Sequence, residues 1–412
     1  MESTVNRFDG NGVEMSSGER TFAFRDWRSS PPSTLHAVNQ RYQEWKSGYA
    51  AANLIVVGGK PGPGAILLAG NDYLSLARHP KIVQAIASTL LNTHSDVLMS
   101  TVYVQHLDEQ QHYEAAMAAY LGSEAAVLCQ SGWSANDGLI QVLADEDTPV
   151  YIDIGAHASL WQGIHSAGAT ARPFRHNDPA SLAALAKRYG PGLIVADAVY
   201  STTGDICPLA DVVDIAERQG SLVLLDESHA VGVRGPKGAG LAAELGLVDR
   251  VPFRTVSLSK AFVGRGGIVA GPRQLLEYFR FVARPSVFSS AVLLHEIAAF
   301  SAALEIIRLE EWRRQALRQK SGYLRQGLLA AGWPIANNDA PIIALMGGAE
   351  EITVRLRDAL EARNVFGAVF CAPSTPKNRS LVRLTANATV PESDLDRVIE
   401  ACAAAKREAG LG

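Results

Sequence analysis

The sequence predicts an α/β fold with a mostly parallel central sheet, followed by a smaller C-terminal α+β domain. Between residues 80 and 292, short apolar runs alternate with helical patterns, which is the order of a largely parallel sheet. A long helical stretch at 293–331 ends at the break Gly332-Trp333-Pro334, and the order of elements changes after it. We therefore predict an N-terminal arm and helix at 1–60, a large domain at 61–292 and a small domain with its linking helix at 293–412.

The predicted elements follow from local patterns. Residues 1–35 are polar and predict a weakly ordered arm, and residues 36–48 predict an amphipathic helix. Further helices are predicted at 80–92 and about 108–121. The predicted strands of the large domain are 125–129, 149–154, 171–174, 192–198, 221–226, 254–258 and 267–270. The small domain is predicted to contain a strand at 341–346, a helix at 351–363, strands at 365–371 and 380–385, and a helix at 391–409.

Composition excludes several classes of protein. Among 412 residues, 47% are hydrophobic and 19% are charged, which indicates a sizeable core and excludes a disordered chain. The formal net charge of -4 does not indicate nucleic acid or an anionic membrane as a partner. The 4 cysteines form no CxxC pattern, so we predict no metal site and a cytoplasmic, reducing location. We also expect no signal peptide and no membrane span.

Two charged residues follow neighbouring predicted strands. Asp226 ends the run 221–226, and Lys260 follows the run 254–258 within Ser257-Leu258-Ser259-Lys260. Alone, Asp226 could cap the next helix and Lys260 could be a surface loop residue. Together they suit pyridoxal phosphate, because a buried lysine forms a Schiff base and a carboxylate keeps the pyridine nitrogen protonated.

Polar groups also follow three other predicted strands. Residues 130–136 open a helix after the strand 125–129, where backbone N–H groups can bind an anion. His157 comes just past the strand 149–154, where its ring could lie over a planar cofactor or serve as a structural hydrogen-bonded group. Asp197 and Ser201 follow the strand 192–198. Because the carboxyl ends of parallel strands share one edge, we predict a cofactor site there.

Seven motifs resemble the α-oxoamine synthase family of fold-type I pyridoxal-phosphate enzymes. They run in family order from about residue 45 to the C-terminus. The motifs are NDYLSLARHP at 71–80, QSGWSAN at 130–136, DIGAHASL at 153–160, DAVYSTTGD at 197–205, DESHAVGVRGPKGAG at 226–240, SLSKAF at 257–262 and VRLTANA at 382–388. The resemblance implies the aspartate-aminotransferase-like fold and the cofactor pyridoxal 5'-phosphate.

The resemblance also assigns roles around the cofactor ring. Lys260 matches the Schiff-base lysine and general base, and Asp226 matches the partner of the pyridine nitrogen. His157 matches the ring-stacking histidine. His229 and Ser201 match donors to the phenolic oxygen. The catalytic candidates are therefore Lys260, His157, Asp226 and His229.

Further residues match phosphate and substrate contacts. The resemblance assigns a phosphate cradle to Ser131, Gly132, Trp133 and Ser257. It places Ser289 and Ser290 at positions that reach the phosphate from a neighbouring subunit, which implies a homodimer with shared sites. Arg383 matches the arginine that binds the substrate carboxylate, a task that suits its bidentate guanidinium.

Within the family, the likeness favours the quorum-sensing α-hydroxyketone autoinducer synthases. Trp133, the run 226–229, the run 287–290 and the run 365–373 support this subgroup, and residues 99–106 depart from the Gly/Ser/Arg-rich stretch of the biosynthetic members. The implied substrates are a medium-chain acyl-CoA and an amino acid or S-adenosylmethionine. The alternatives are a biosynthetic member, such as 8-amino-7-oxononanoate or 2-amino-3-ketobutyrate synthase, and a fold-type I aminotransferase or lyase.

Overall fold

The computed structural model describes residues 36–44, 56–92 and 98–411, so the predicted arm at 1–35 lies outside the described residues. Residues 36–44 are helical (α1), within the helix predicted at 36–48. Contacts between Cα atoms divide the chain into two units, Met1–Val57 and Gly58–Gly412. The second unit contains all the strands and the remaining helices described below.

The helices of the second unit alternate with its strands. Its helices are α2 Pro80–Asn92, α3 Thr101–Val104, α4 Asp108–Leu121, α5 Gly132–Leu143, α6 Ala158–Ser166, α7 Pro179–Tyr189, α8 Leu209–Gln219, α9 Leu241–Glu244, α10 Arg273–Val282, α11 Arg284–Val287, α12 Leu294–Leu309, α13 Glu311–Ala330, α14 Glu350–Glu361 and α15 Glu392–Glu408. Its strands are β1 Ile66–Leu67, β2 Ala125–Cys129, β3 Pro149–Asp153, β4 Thr170–Phe174, β5 Leu193–Asp197, β6 Leu222–Asp226, β7 Phe253–Ser257, β8 Gly267–Gly271, β9 Ile342–Gly348, β10 Val365–Phe366, β11 Ala368–Phe370 and β12 Ser380–Thr385.

A seven-stranded sheet organises the large domain. Its order is β2-β8-β7-β6-β5-β3-β4, and only β8 runs antiparallel to its neighbours β2 and β7. Along β5, Ile194 and Ala196 pack in one core with α4, α8 and α12, while Leu193 and Val195 pack in a second core with α5, α6 and α10. Because both faces are covered, the strands are continuous apolar runs, as expected for a buried sheet. The predicted α/β fold is confirmed.

Local sequence signals mark where the helices beside this sheet begin and end. The Asp178 side chain accepts a hydrogen bond from the Ser181 N–H at 2.9 Å, and Pro179 occupies the first turn of α7. The next helix, α8, ends at Gly220 with φ 66°, a left-handed conformation that glycine adopts without strain. These caps fix where the helices begin and end, which keeps the connections to the strands short. Each helix thereby returns the chain to the same edge of the sheet.

A separate core lies under the C-terminal sheet. The antiparallel strands β11-β12-β9 pack on α13, α14 and α15, and Ile66 of β1 joins their apolar cluster. The predicted single strand at 365–371 is wrong in one respect, because it divides into β10, which pairs with β1, and β11. Gly367 lies at the division, where a Cβ atom would come within 2.6 Å of Val382 Cγ1. The chain therefore bends between the two strands where no side chain fits.

Candidate active site

Five strand ends meet at the carboxyl edge of the large sheet. β2, β3, β5, β6 and β7 run in one direction, so their carboxyl ends share this edge. They border a cleft that is lined by Gly132, Trp133, Asn136, His157, Ser159, Asp197, Asp226, Ser228, His229, Ser257 and Lys260. The sequence predicted this convergence, and seven of the predicted site residues line the cleft.

Lys260 lies on the loop that joins β7 to β8. The loop is held at both ends, since Leu258 N–H donates to Gly266 O at 2.9 Å and Gly264 N–H donates to Leu258 O at 3.1 Å. Burial and the nearby charge of Arg383 lower the pKa of Lys260, while Asp226 opposes this shift. The amine therefore loses its proton more readily than that of an exposed lysine, which suits a nucleophile or base.

Asp226 ends β6, with its Cα beside that of Thr255 on β7 and that of Asp197 on β5. One carboxylate oxygen accepts a hydrogen bond from Asn136 Nδ2 at 2.6 Å, and the other accepts from Ser228 N–H at 2.9 Å. The two bonds hold the buried carboxylate in a fixed orientation, in which it is able to pair with a protonated ring nitrogen.

His157 is the N-cap of α6, and both its backbone and its ring are fixed. Its N–H donates to Asp197 Oδ2 at 2.9 Å, and its Nδ1 lies 2.7 Å from Ser159 Oγ. The ring meets Trp133 edge-on, with centroids 6.2 Å apart and planes at 79°. Burial lowers the pKa of His157, and although Asp226 opposes this shift, Lys260 adds to it. The imidazole is therefore neutral near pH 7 and can pack on a planar ring.

His229 faces the same cleft from the turn after β6. Its Nδ1 lies 2.5 Å from the Tyr73 hydroxyl, and the two rings meet edge-on. Burial lowers the pKa of His229 well below its usual value, and the charges of Lys260 and Arg383 act in the same direction. Burial also raises the pKa of Tyr73. A neutral imidazole and a protonated phenol therefore form this pair at neutral pH.

The start of α5 lies against the end of β7. The Ser131 side chain caps α5 by accepting from Ser134 N–H at 3.0 Å, which leaves the N–H groups of the first two helical residues directed outward. A Cβ atom on Gly132 would lie 2.5 Å from Ser257 Cβ, so only glycine allows this approach. The helix N-terminus and the Ser257 hydroxyl thus form an anion cradle at one end of the cleft.

Arg383 and Ser201 lie together beside the cleft, although neither lines it. Arg383 is buried on β12, donates to Ser201 O at 2.7 Å and to Asn71 Oδ1 at 3.1 Å, and packs over the Phe370 ring. Its Nε atom is buried without a hydrogen-bond partner among the described residues. Arg383 is therefore not a surface residue of its strand. A guanidinium with an unused donor beside Lys260 is suited to bind a substrate carboxylate.

Ser289 and Ser290 are not among the residues that line the cleft of their own chain. Ser290 forms an isolated antiparallel bridge with Ser100, and Ala291 N–H donates to Met99 O at 2.9 Å. Phe288, Leu98 and Met99 are exposed along this edge. The predicted contact of these two serines with a phosphate in a neighbouring subunit stays a prediction.

Sequence reasoning missed several polar residues that support the site. Asn136 and Tyr73 fall inside the motifs QSGWSAN and NDYLSLARHP but received no role, and the same holds for Ser159 and Ser228. The position of Asn136 could have indicated a role, because it places an amide in the second turn of a helix that starts at the carboxyl edge of the sheet, where a cofactor site was predicted. Its partners come from three other strand ends and could not be identified without the fold.

Two absences concern the described residues alone. Among residues 36–44, 56–92 and 98–411, no cluster of His, Cys, Asp and Glu could hold a metal ion. No helix in the same ranges is long and apolar enough to cross a membrane.

Comparison with known proteins gives one family and several relatives. The family model described as aminotransferase class I and II matches residues 63–402. CAI-1 autoinducer synthase of Vibrio campbellii is 43% identical over 348 residues, which cover 84% of this chain and 88% of that protein. 8-amino-7-oxononanoate synthase of Anaeromyxobacter dehalogenans is 34% identical over 380 residues, which cover 92% of this chain and 95% of that protein.

Solved structures show the same fold. A structure of SPT with pyridoxal phosphate has a TM-score of 0.82 at 26% identity and covers 92% of this chain and 98% of its own. Serine palmitoyltransferase of Sphingomonas wittichii has a TM-score of 0.83 at 25% identity and covers 93% of this chain and 100% of its own. The likeness thus extends over more than nine-tenths of this chain.

Proposed function

We propose a reaction for this chain from the premise that it belongs to the aminotransferase class I and II family and, within it, to the pyridoxal-phosphate enzymes of α-oxoamine synthase type. We propose that it joins the acyl group of a medium-chain acyl-CoA to the α-carbon of an amino acid or S-adenosylmethionine. The product would be the precursor of an aminoketone or α-hydroxyketone autoinducer. The observation that carries this proposal is the 43% identity to CAI-1 autoinducer synthase over 84% of the chain.

The residues of the cleft fit pyridoxal phosphate. The start of α5 and Ser257 offer donors for a phosphate at one end, while the Asp226 carboxylate offers an acceptor for a ring nitrogen. Lys260 reaches the same space with an amine of lowered pKa. When bound, the cofactor would supply an electron sink for charge that develops on the substrate α-carbon.

Lys260 has two roles in this proposal. Its amine would hold the cofactor, and when free the same amine would take the proton from the substrate α-carbon. A lowered pKa favours both roles because the amine must be neutral before each step. The charge of Arg383 contributes to this shift, so the substrate-binding arginine also prepares the base.

The two histidines hold the ring without carrying charge. His157 packs on one face, and its neutral form avoids a second cation beside Lys260. If Tyr73 donates to Nδ1 of His229, the Nε2–H of His229 is left to donate to the phenolic oxygen. Ser201 would be a second donor to this oxygen, and Arg383 fixes the Ser201 backbone at 2.7 Å.

The amino donor and the acyl chain would meet beside residues 98–107. Arg383 would bind the donor carboxylate through Nε and its remaining N–H groups. The short helix α3 is joined to the edge of the cleft because Gln130 Nε2 donates to Thr101 Oγ1 at 2.8 Å. Tyr103 and Leu98 are exposed on this segment. These apolar side chains, in place of a Gly/Ser/Arg-rich stretch, support an acyl site with a different shape from that of the biosynthetic members.

We also propose a homodimer in which Ser289 and Ser290 complete the phosphate site of the partner subunit. Both serines are outside the lining of their own cleft, and the exposed apolar side chains of Phe288, Leu98 and Met99 lie beside them, which supports this assembly. A cytoplasmic location is supported by four cysteines that are buried and free of disulfides.

A thiol-release assay tests the reaction. Purified protein with pyridoxal phosphate would be offered acyl-CoAs of several chain lengths, each with glycine, alanine, serine, 2-aminobutyrate or S-adenosylmethionine. We expect CoA release only when an acyl-CoA and one of these amino donors are both present. Protein that carries the cofactor but releases no CoA with any pair would contradict the acyltransferase proposal.

A second candidate is a biosynthetic α-oxoamine synthase. The 34% identity to 8-amino-7-oxononanoate synthase over 92% of the chain supports it. In the same assay, a preference for alanine or glycine with no turnover of 2-aminobutyrate or S-adenosylmethionine would favour this candidate. An aminotransferase or lyase would instead release a keto acid without consuming acyl-CoA.

A further inference from the structure

Asn136 forms side-chain hydrogen bonds with residues from separate parts of the cleft. It lies in the second turn of α5, its side chain is 1% exposed, and it contacts residues from three other connections of the sheet. Its Nδ2 donates to Asp226 Oδ2 at 2.6 Å and to Ser159 Oγ at 2.8 Å, and its Oδ1 accepts from Thr255 Oγ1 at 2.5 Å. Both amide hydrogens and the amide oxygen are therefore in use.

The chemistry of the partners fixes the orientation of the amide. An ionised carboxylate only accepts hydrogen bonds, so Nδ2 must face Asp226 and Oδ1 must face Thr255. Since Ser159 Oγ already accepts from Nδ2, its own hydroxyl hydrogen is free to donate to His157 Nδ1 at 2.7 Å. The Ser159 N–H also points at this atom, at 3.3 Å. His157 Nδ1 is then an acceptor on both sides, and the ring proton resides on Nε2.

We propose that Asn136 is a positioning residue that sets the orientation of the Asp226 carboxylate and the tautomer of His157 through one connected set of hydrogen bonds. The Asp226 carboxylate at the edge of the cofactor ring and the His157 imidazole on its face are thereby held in place by the same set of hydrogen bonds. This inference rests on the proposed function, because it is the bound cofactor that Asp226 and His157 would contact.

Three variants separate this role from simple packing. Asn136→Ala removes both donors, so Asp226 loses a charge-assisted hydrogen bond and Ser159 is free to rotate. Ser159→Ala removes only the link to His157 and leaves the bond between Asn136 and Asp226. Asn338→Ala is the control, because Asn338 makes comparable amide hydrogen bonds, to Gly204 O and Ala340 N–H, outside the cleft.

The first measurement is the dissociation constant of pyridoxal phosphate, determined by ultrafiltration and absorbance on the full chain. We expect Asn136→Ala to raise it roughly ten- to a hundredfold, since hydrogen bonds to charged groups are strong. Ser159→Ala should raise it less, and Asn338→Ala should not change it. A dissociation constant in Asn136→Ala equal to that of the wild type would overturn the role assigned at Asp226.

The second measurement is the ¹⁵N spectrum of the histidine rings in protein labelled with ¹⁵N-histidine, with the His157 signals assigned from a His157→Gln sample. The wild type should show protonation at Nε2, and both Asn136→Ala and Ser159→Ala should show mixed tautomers. Should Asn136→Ala not fold, unchanged His157 signals in Ser159→Ala would still overturn the relay. These spectra need no cofactor, so a wild type that never takes up pyridoxal phosphate would contradict the proposed function alone.

Discussion

At the scale of single residues, charged groups act on Lys260 in opposite directions. Burial and Arg383 lower its pKa while Asp226 opposes them, and Lys260 in turn lowers the pKa of both cleft histidines. A cation at this position thus keeps its aromatic neighbours neutral. The site therefore concentrates its positive charge on Lys260 and Arg383, where an anionic substrate would bind.

Replacing Lys260 tests whether this amine carries the chemistry. We expect Lys260→Ala to abolish the yellow absorbance of the covalently bound cofactor and to lower the rate of CoA release by at least about 10²–10⁴-fold. Absorbance spectra and the thiol assay measure the two effects. Lys187, an exposed lysine on α7, provides the control, and Lys187→Ala should retain both properties. Undiminished CoA release in Lys260→Ala would contradict the role of this residue.

The residues that make covalent or charged contacts were predictable, whereas those behind them were not. Asp226 and Lys260 end neighbouring strands, and that position in a parallel sheet carries a functional meaning in sequence alone. Asn136 bonds to Asp226, 90 residues away along the chain, and Tyr73 bonds to His229, 156 residues away. Their roles depend on the side-by-side order of strands, which no local pattern contains.

At the scale of elements, the close contact between α5 and β7 builds the anion cradle. We expect Gly132→Ala to push the helix away from Ser257, lowering the free energy of unfolding by about 1–3 kcal/mol and weakening cofactor binding. Urea denaturation and cofactor titration measure these changes.

Gly322 is the matched control in this experiment. It lies within α13, where a Cβ atom would meet nothing within 4 Å. Gly322→Ala should stabilise the protein by up to about 1 kcal/mol and leave cofactor affinity unchanged. If both substitutions changed the free energy of unfolding and the cofactor affinity equally, the close contact of Gly132 with Ser257 would not be what shapes the anion cradle.

A second contact between elements depends on pH. His176, in the turn after β4, bonds to Asp153 at the end of β3 and to Asp205 in the connection after β5. Burial alone would lower its pKa, but the bonds to these carboxylates raise the pKa to about 9. A raised pKa means that the stabilisation is complete below about 6.5, the ordinary value, and is lost as the pH rises through about 9.

We therefore expect His176→Gln to be destabilising at pH 6 by on the order of 3 kcal/mol, with the difference shrinking from about pH 6.5 and absent above about pH 9. Urea denaturation of both proteins at several pH values measures this difference. His165, on α6, has no such carboxylate partners among the described residues, so His165→Gln should show no comparable trend. A difference between wild type and His176→Gln that does not vary with pH would contradict the ion-pair account.

The strands of the large sheet were predictable because both of their faces are buried, which produces continuous apolar runs between turn residues. The division at 365–371 was not predictable from the same signal. Apolar residues continue on both sides of Gly367, and the change of partner from β1 to β12 is set by strands elsewhere in the sequence. An apolar run thus predicts where a strand lies, but it does not predict where the chain leaves one sheet and enters another.

At the scale of the whole molecule, the proposed shared sites make a prediction about mixtures. If Ser289 and Ser290 serve the partner subunit, Lys260→Ala and a double variant with both serines replaced by Leu should each be inactive. Exchanging subunits between them should restore up to about a quarter of the wild-type activity, since half of the dimers are mixed and each contains one intact site. The thiol assay after unfolding and refolding the mixture measures this recovery.

A second mixture of two variants is the control. Lys260→Ala mixed with Asp226→Asn should recover activity only to the level of Asp226→Asn alone, because both residues belong to one cleft of one chain. Recovery in this pair, or none in the serine pair, would contradict the proposed sharing of sites.

The antiparallel strand β8 has a consequence for how often the catalytic lysine can be used. Because β8 returns directly beside β7, Lys260 lies on a hairpin loop anchored to two central strands, and no crossover helix follows it. In the proposed reaction this amine would leave its bound partner and return in every turnover, and it could do so by rotating its side chain while the backbone stays in place. Little conformational entropy would then be lost on each return, so the resting state would be restored quickly after product departs.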